Sequence, residues 1–115
     1  MKENIIKHKS FDYAVQIVNL YKWLAYDKKE FVMSRQLLKS GTSIGANIRE
    51  AEFAQSKADF ISKMSISLKE ANETDYWLDL LHATHYINDE KFDHYKLMSQ
   101  EVLRLLISIV KSSKE

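Results

Sequence analysis

Apolar residues return every three or four positions along nearly the whole chain, the spacing of an amphipathic helix. The cleanest run is Phe60, Met64, Ser67, Ala71, Thr74, Leu78 and Leu81, an alternation of four and three that predicts one buried seam. Ser56-Lys57-Ala58-Asp59 stands just before it and reads as a capping box, so this helix is expected over 57–86. Asp27-Lys28-Lys29-Glu30 has the same form, with Asp27 as cap and Glu30 at the third helical position. It predicts a second helix over 28–55, with a kink at Gly41–Gly45. Ser10 with Asp12 starts a first helix over 10–26, which leaves residues 1–9 as a flexible arm. Asn88 with Asp89 and Glu90 starts a last helix over 88–111.

Two helices are apolar on more than one face. The first carries Tyr13, Ile17, Leu20 and Leu24 on one stripe and Phe11, Ala14, Val18, Tyr21 and Ala25 on a second. In the last, the run 102–110 is interrupted only by Arg104 and Ser108. One small bundle cannot bury both faces, so the excess predicts a subunit interface, with Ile107 and Val110 pointing outward. The expected core is Ile17, Leu24, Leu37, Ile44, Ile48, Phe60, Met64, Leu68, Leu78, Leu81, Val102 and Ile109. Short connections make neighbours antiparallel. The expectation is therefore all-α: a single domain over residues 1–115, an antiparallel up-down-up-down four-helix bundle.

Composition supports this reading. There is no proline, and Gly41 and Gly45 are the only glycines, so turns and strands lack their usual punctuation. The absence of cysteine excludes a disulfide frame and thiolate metal sites and fits a cytoplasmic location. The N-terminus has no secretory pattern, and no apolar run is long enough to span a membrane. Net charge is +1, so the chain is not an obvious polyanion binder.

The second helix sorts into three stripes. Leu37, Gly41, Ile44, Ile48 and Ala51 face the core. Lys28, Arg35, Lys39 and Arg49 lie opposite and are the candidate nucleic-acid contacts, or else a solvated face. Gln36, Ser40, Ser43, Asn47 and Glu50 lie between. Short polar side chains in mid-helix are costly in propensity. Gln36, Ser43, Asn47 and Glu50 are therefore read as a structural polar layer, bonded to Ser67, Glu70 and Glu73 of the third helix or to a neighbouring subunit, against the alternative of a solvated edge.

No catalytic, cofactor or metal site is expected. Asp79-Leu80-Leu81-His82 is one imperfect half of a di-iron pattern that needs two Glu-x-x-His motifs, and His82 with His85 lacks further ligands. Gly41-Thr42-Ser43-Ile44-Gly45 lacks the lysine end and the preceding strand of a P-loop. Trp23 and Trp77 read as core or interface anchors.

Gln36 followed by Ser43-Ile44-Gly45-Ala46-Asn47-Ile48-Arg49-Glu50-Ala51 resembles the signature of four-helix bundle proteins encoded by 23S rRNA intervening sequences, the so-called S23 ribosomal protein family. Residues 56–60 and 67–74 resemble its next two blocks, so the likeness covers about residues 10–112. Gly45 stands where the family often has proline, and Ala51 where it often has glycine. The resemblance implies a non-enzymatic bundle that assembles into a homo-oligomeric ring, a pentamer first of all. It extends to the accessory variability proteins of diversity-generating retroelements, which contact a reverse transcriptase and its RNA. The expected partners are thus a second copy of the chain and an RNA or nucleic-acid-processing protein, with no membrane. The alternative is a protein–protein scaffold that binds no nucleic acid.

Overall fold

The computed structural model describes residues 2–115. It is a rod of 44 × 20 × 19 Å built from four helices: α1 (Lys2–Lys22), α2 (Met33–Glu52), α3 (Lys57–Ala83) and α4 (Asp89–Lys114). Contacts at the helix ends set the directions. Lys7 near the start of α1 pairs with Glu52 at the end of α2, at 2.6 Å. Glu50 of α2 meets Lys63 near the start of α3, and Lys2 reaches Ser108 near the end of α4. Each neighbour is therefore antiparallel, in the order up-down-up-down. The α2–α3 seam is the most extensive and the α1–α4 seam the least.

The seam expected for α3 is buried from Met64 to Leu81, and Phe60 lies half-buried at its start. Its Ser56 cap forms, and the reciprocal half of the expected box is shifted by one residue. Ser56 is extended and accepts from the Asp59 N–H at 3.0 Å, while the Asp59 carboxylate accepts from the N–H of Gln55 at 3.2 Å. The Asn88 side chain accepts from the Lys91 N–H at 2.8 Å and caps α4. α3 stops at Ala83, three residues before the expected end. His85 turns left-handed (φ 67°), and the Tyr86 and His85 N–H groups donate to the carbonyls of Leu81 and His82. That is a Schellman motif with histidine where glycine is usual.

Besides the end of α4, which is Lys114 and not 111, three further boundaries need correction. Residues 2–9 are the first turns of α1 and not a flexible arm; Met1 lies outside the described residues. Ile6 is fully buried, so tertiary burial extends the helix beyond the expected cap, and the Ser10 hydroxyl donates within the helix to the Lys7 carbonyl. α2 does not start at Lys28. The end of α1 widens into a π-helical turn over Trp23–Asp27, and Lys29 sits in the left-handed region (φ 56°). The cap is Glu30 and not Asp27: its buried carboxylate accepts from the N–H groups of Val32, Met33 and Ser34 at 3.1, 3.0 and 2.7 Å. Third, α2 ends at Glu52 and not Gln55, and it is one unbroken helix through both glycines. Gly41 is needed for close packing. A Cβ there would lie 2.7 Å from Cγ2 of Ile17, so α1 approaches α2 more closely than an alanine permits.

The core matches the expected set, with Phe60 and Leu68 half-buried at its edge, and it also takes in Ile6, Tyr13, Leu20, Ile87 and Leu106. Val110 is a correction. It is only 7% exposed and belongs to the core, whereas Ile107 is 52% exposed.

Candidate interaction surfaces and polar networks

The buried polar side chain of α2 that meets α3 is Ser40, about one turn before the expected Ser43. Ser43 donates to the Lys39 carbonyl and Asn47 to the Ser43 carbonyl, both at i−4 on their own helix rather than to α3. A short side chain reaches the preceding turn more easily than the next helix. Gln36 and Glu50 are exposed, and Glu50 makes only a surface ion pair with Lys63 at 3.3 Å. The buried contacts come from Ser67, an expected member of the layer, and from Ser40 and Thr74, which were not assigned to it. The Thr74 and Ser40 hydroxyls are hydrogen-bonded to each other at 2.9 Å, and Ser67 donates to the Ile44 carbonyl, all four residues lying in the interior. Glu70 takes part only through its backbone, whose carbonyl receives the Thr74 hydroxyl. Ser40 and Thr74 stood in the sequence pattern, but nothing local distinguishes Ser40 from Ser43.

A second network joins α3 and α4. Lys96 bridges Asp75 and Asp79 at 2.8 Å each, and Ser99 donates to Asp75 at 2.8 Å. Burial lowers the affinity of the Lys96 ammonium for its proton, but the hydrogen bonds and charges of the two aspartates outweigh this and push its pKa up. Tyr13 inserts its hydroxyl beside this network, near Ser99, without a hydrogen-bond partner of its own. Burial pushes the Tyr13 hydroxyl pKa well up; the Ser99 hydroxyl opposes this and the Asp75 charge adds to it.

Of the four candidate nucleic-acid contacts, Arg35, Lys39 and Arg49 lie exposed on the outward side of α2. They do not form a cluster. Arg35 and Lys39 are one turn apart, and Arg49 is roughly 15 Å further along the axis. Lys28 is not on this helix; it lies beyond the far end of α1, against Trp23. The α2 face is bordered by an apolar groove of about 380 Å³ between α1 and α2, floored by Ala14, Gly45 and Ala46 and flanked by Lys7, Phe11 and Arg49. Phe11 is 57% exposed. It belongs to the second apolar stripe of α1, whose Ala14, Val18 and Tyr21 are half-buried.

At the opposite end of the rod, the turn after α1 and the α3–α4 connection enclose a cleft of about 570 Å³. Trp23 forms one wall, with the ammonium groups of Lys91 and Lys28 at 4.1 and 5.1 Å from its ring centre. His82 stacks on Phe92 at 4.0 Å and meets Asp89 at 2.7 Å. His85 lies past the end of α3, so the two histidines do not form a helical i, i+3 pair. Among the described residues no three His, Asp or Glu side chains converge as metal ligands, and no helix is long and apolar enough to cross a membrane. Sequence reasoning missed this cleft because its walls come from positions 23, 28, 82, 83, 85–89 and 91, joined only by the fold.

The comparisons agree with this architecture. A crystal structure of a protein of unknown function from the S23 ribosomal protein family of Bacteroides thetaiotaomicron is 62% identical. It superimposes with a TM-score of 0.94, over 96% of this chain and 99% of that one. No curated protein matches. The family model for the 23S rRNA-intervening sequence protein matches residues 2–108, and with nearly the whole chain so covered, the protein belongs to that family.

Proposed function

We propose that the protein is a non-catalytic, homo-oligomeric accessory protein that binds RNA or a nucleoprotein through the outward face of α2. The observation that carries the reading is that Arg35, Lys39 and Arg49 are exposed and form no ion pair among the described residues, whereas Lys7, Lys9, Lys63 and Lys96 are each paired. One subunit offers about three phosphate contacts, too few for tight binding alone, and repetition around a ring supplies avidity. The exposed Phe11, Val15, Leu97 and Ile107 provide apolar area for that assembly, with a pentamer as the first expectation.

Light scattering on wild type and Ile107→Glu tests the assembly. Wild type is expected as an oligomer, and the variant as a smaller species with unchanged helicity. A monomeric wild type at micromolar concentration refutes it. Electrophoretic titration with single-stranded RNA at several salt concentrations tests the partner. Affinity should fall steeply with salt, and Lys39→Glu with Arg49→Glu should weaken binding irrespective of sequence. RNA binding that is absent at low salt, in a protein that still assembles, favours the protein–protein scaffold, for which the apolar α1–α2 groove is the supporting feature.

A further inference from the structure

The end cleft has an unusual charge arrangement. Two ammonium groups, Lys28 and Lys91, rest on the same indole ring, and neither has a carboxylate within ion-pair distance among the described residues. Like charges held against one ring repel each other, and the ring quadrupole attracts each only weakly at an open site. The one acid in the wall, Asp89, is engaged by His82 at 2.7 Å. A bound anion would relieve the repulsion. Most other walls are aromatic or amide: Trp23, Tyr86, His85 and Asn88. At about 570 Å³ the cleft lies in the size range of small-ligand sites and is larger than a lone phosphate needs.

We infer that this cleft is a nucleotide subsite: Lys28 and Lys91 take a phosphate, and the Trp23 ring, uncovered as the ammonium groups move onto that phosphate, receives the base. Stacking on an aromatic face tolerates any base, so the site selects a phosphate joined to a planar ring rather than a sequence. The same chemistry is offered by a free nucleotide and by the phosphorylated end of a strand. The inference is independent of the α2 face, which lies along the rod and not at this end.

Calorimetry and tryptophan fluorescence at low salt test it. The probes are adenosine 5′-monophosphate, adenosine, inorganic phosphate, and an oligoadenylate with and without a 5′-phosphate. The protein is the full chain, and a Trp77→Phe background leaves Trp23 as the only emitter. The monophosphate should bind at least about tenfold more tightly than adenosine or phosphate and should quench Trp23. Lys28→Gln with Lys91→Gln should weaken it at least about tenfold at an unchanged melting temperature. Preference for the 5′-phosphorylated oligonucleotide over the free nucleotide assigns the site to a strand end; the reverse assigns it to a free nucleotide.

The inference is overturned if the monophosphate gives neither heat nor quenching up to about 10 mM, or binds the double variant as well as wild type. RNA binding lost in Lys39→Glu/Arg49→Glu, in a protein whose Lys28→Gln/Lys91→Gln variant binds the monophosphate as well as wild type, overturns the cleft alone. Monophosphate binding that the cleft variant loses, in a protein that binds no RNA, overturns the α2 reading alone.

Discussion

The two glycines of α2 make a controlled pair. Both lie in one continuous helix, so alanine at either position should gain about 0.8–1 kcal/mol in helix propensity. Their surroundings differ. A Cβ on Gly45 would lie 3.5 Å from the Ser10 hydroxyl, an ordinary contact, so Gly45→Ala should be stabilising by about 0.5–1 kcal/mol. A Cβ on Gly41 would lie 2.7, 3.1 and 3.2 Å from three carbons of Ile17. Ile17 is wholly buried, and a β-branched side chain in a helix has one strongly preferred χ1 rotamer, so it has nowhere to turn. Either the rotamer strains or α1 and α2 move apart, at about 1–3 kcal/mol for overpacking. The net effect of Gly41→Ala should run from near neutral to a loss of about 2 kcal/mol, and the two alanines should differ by about 1–3 kcal/mol. Urea and thermal unfolding followed by circular dichroism, at one fixed protein concentration, reads this difference. At roughly 4 °C per kcal/mol for a chain of this size, the two melting temperatures should separate by about 4–12 °C. A cycle with Ile17→Ala should show that removing the side chain costs less in the Gly41→Ala background than in wild type. Equal stabilisation by both alanines, or no coupling to Ile17, would refute the close-approach argument.

Glu30→Ala should cost about 1–3 kcal/mol, because three N–H groups at the start of α2 lose their acceptor, while Asp27→Ala should stay within about 0.5 kcal/mol. Urea midpoints of the two variants check the reassigned cap; equal losses would restore Asp27. Lys29→Gly should stabilise by about 0.5–1 kcal/mol in the same assay, since Lys29 is exposed and left-handed at φ 56°; a loss would mean that its side chain contributes something the structure does not contain. Tyr13→Phe should be neutral or stabilising at neutral pH, because it removes a buried hydroxyl without a partner. Both Tyr13 and Lys96 have folded pKa values above their unfolded ones, so what they contribute is complete below about pH 10 and fades as the pH rises further. Unfolding followed from pH 8 upward should show this decline, and it should be shallower in Tyr13→Phe; an identical slope would exclude Tyr13 as a source.

What the sequence determined by itself was whatever a short stretch of chain decides locally. The Ser56 and Asn88 caps form because donor and acceptor are three residues apart, and the α3 seam is buried because its period matches the helix. The four-helix order follows from four such segments joined by short connections. Tertiary structure decided where local options compete. Asp27 was the better cap by residue type, but the π-helical turn after Lys22 moves the start of α2 onward and leaves the Glu30 carboxylate facing its first N–H groups. Ser40 and Ser43 are alike in composition, but only Ser40 lies where Thr74 can reach it. Ile6 extends α1 because a core lies beneath it, and Val110 turns inward for the same reason. The end cleft is the extreme case. Trp23, Lys28, His82 and Lys91 have no periodic relation to one another, and they meet only because two antiparallel turns close the same end of the bundle.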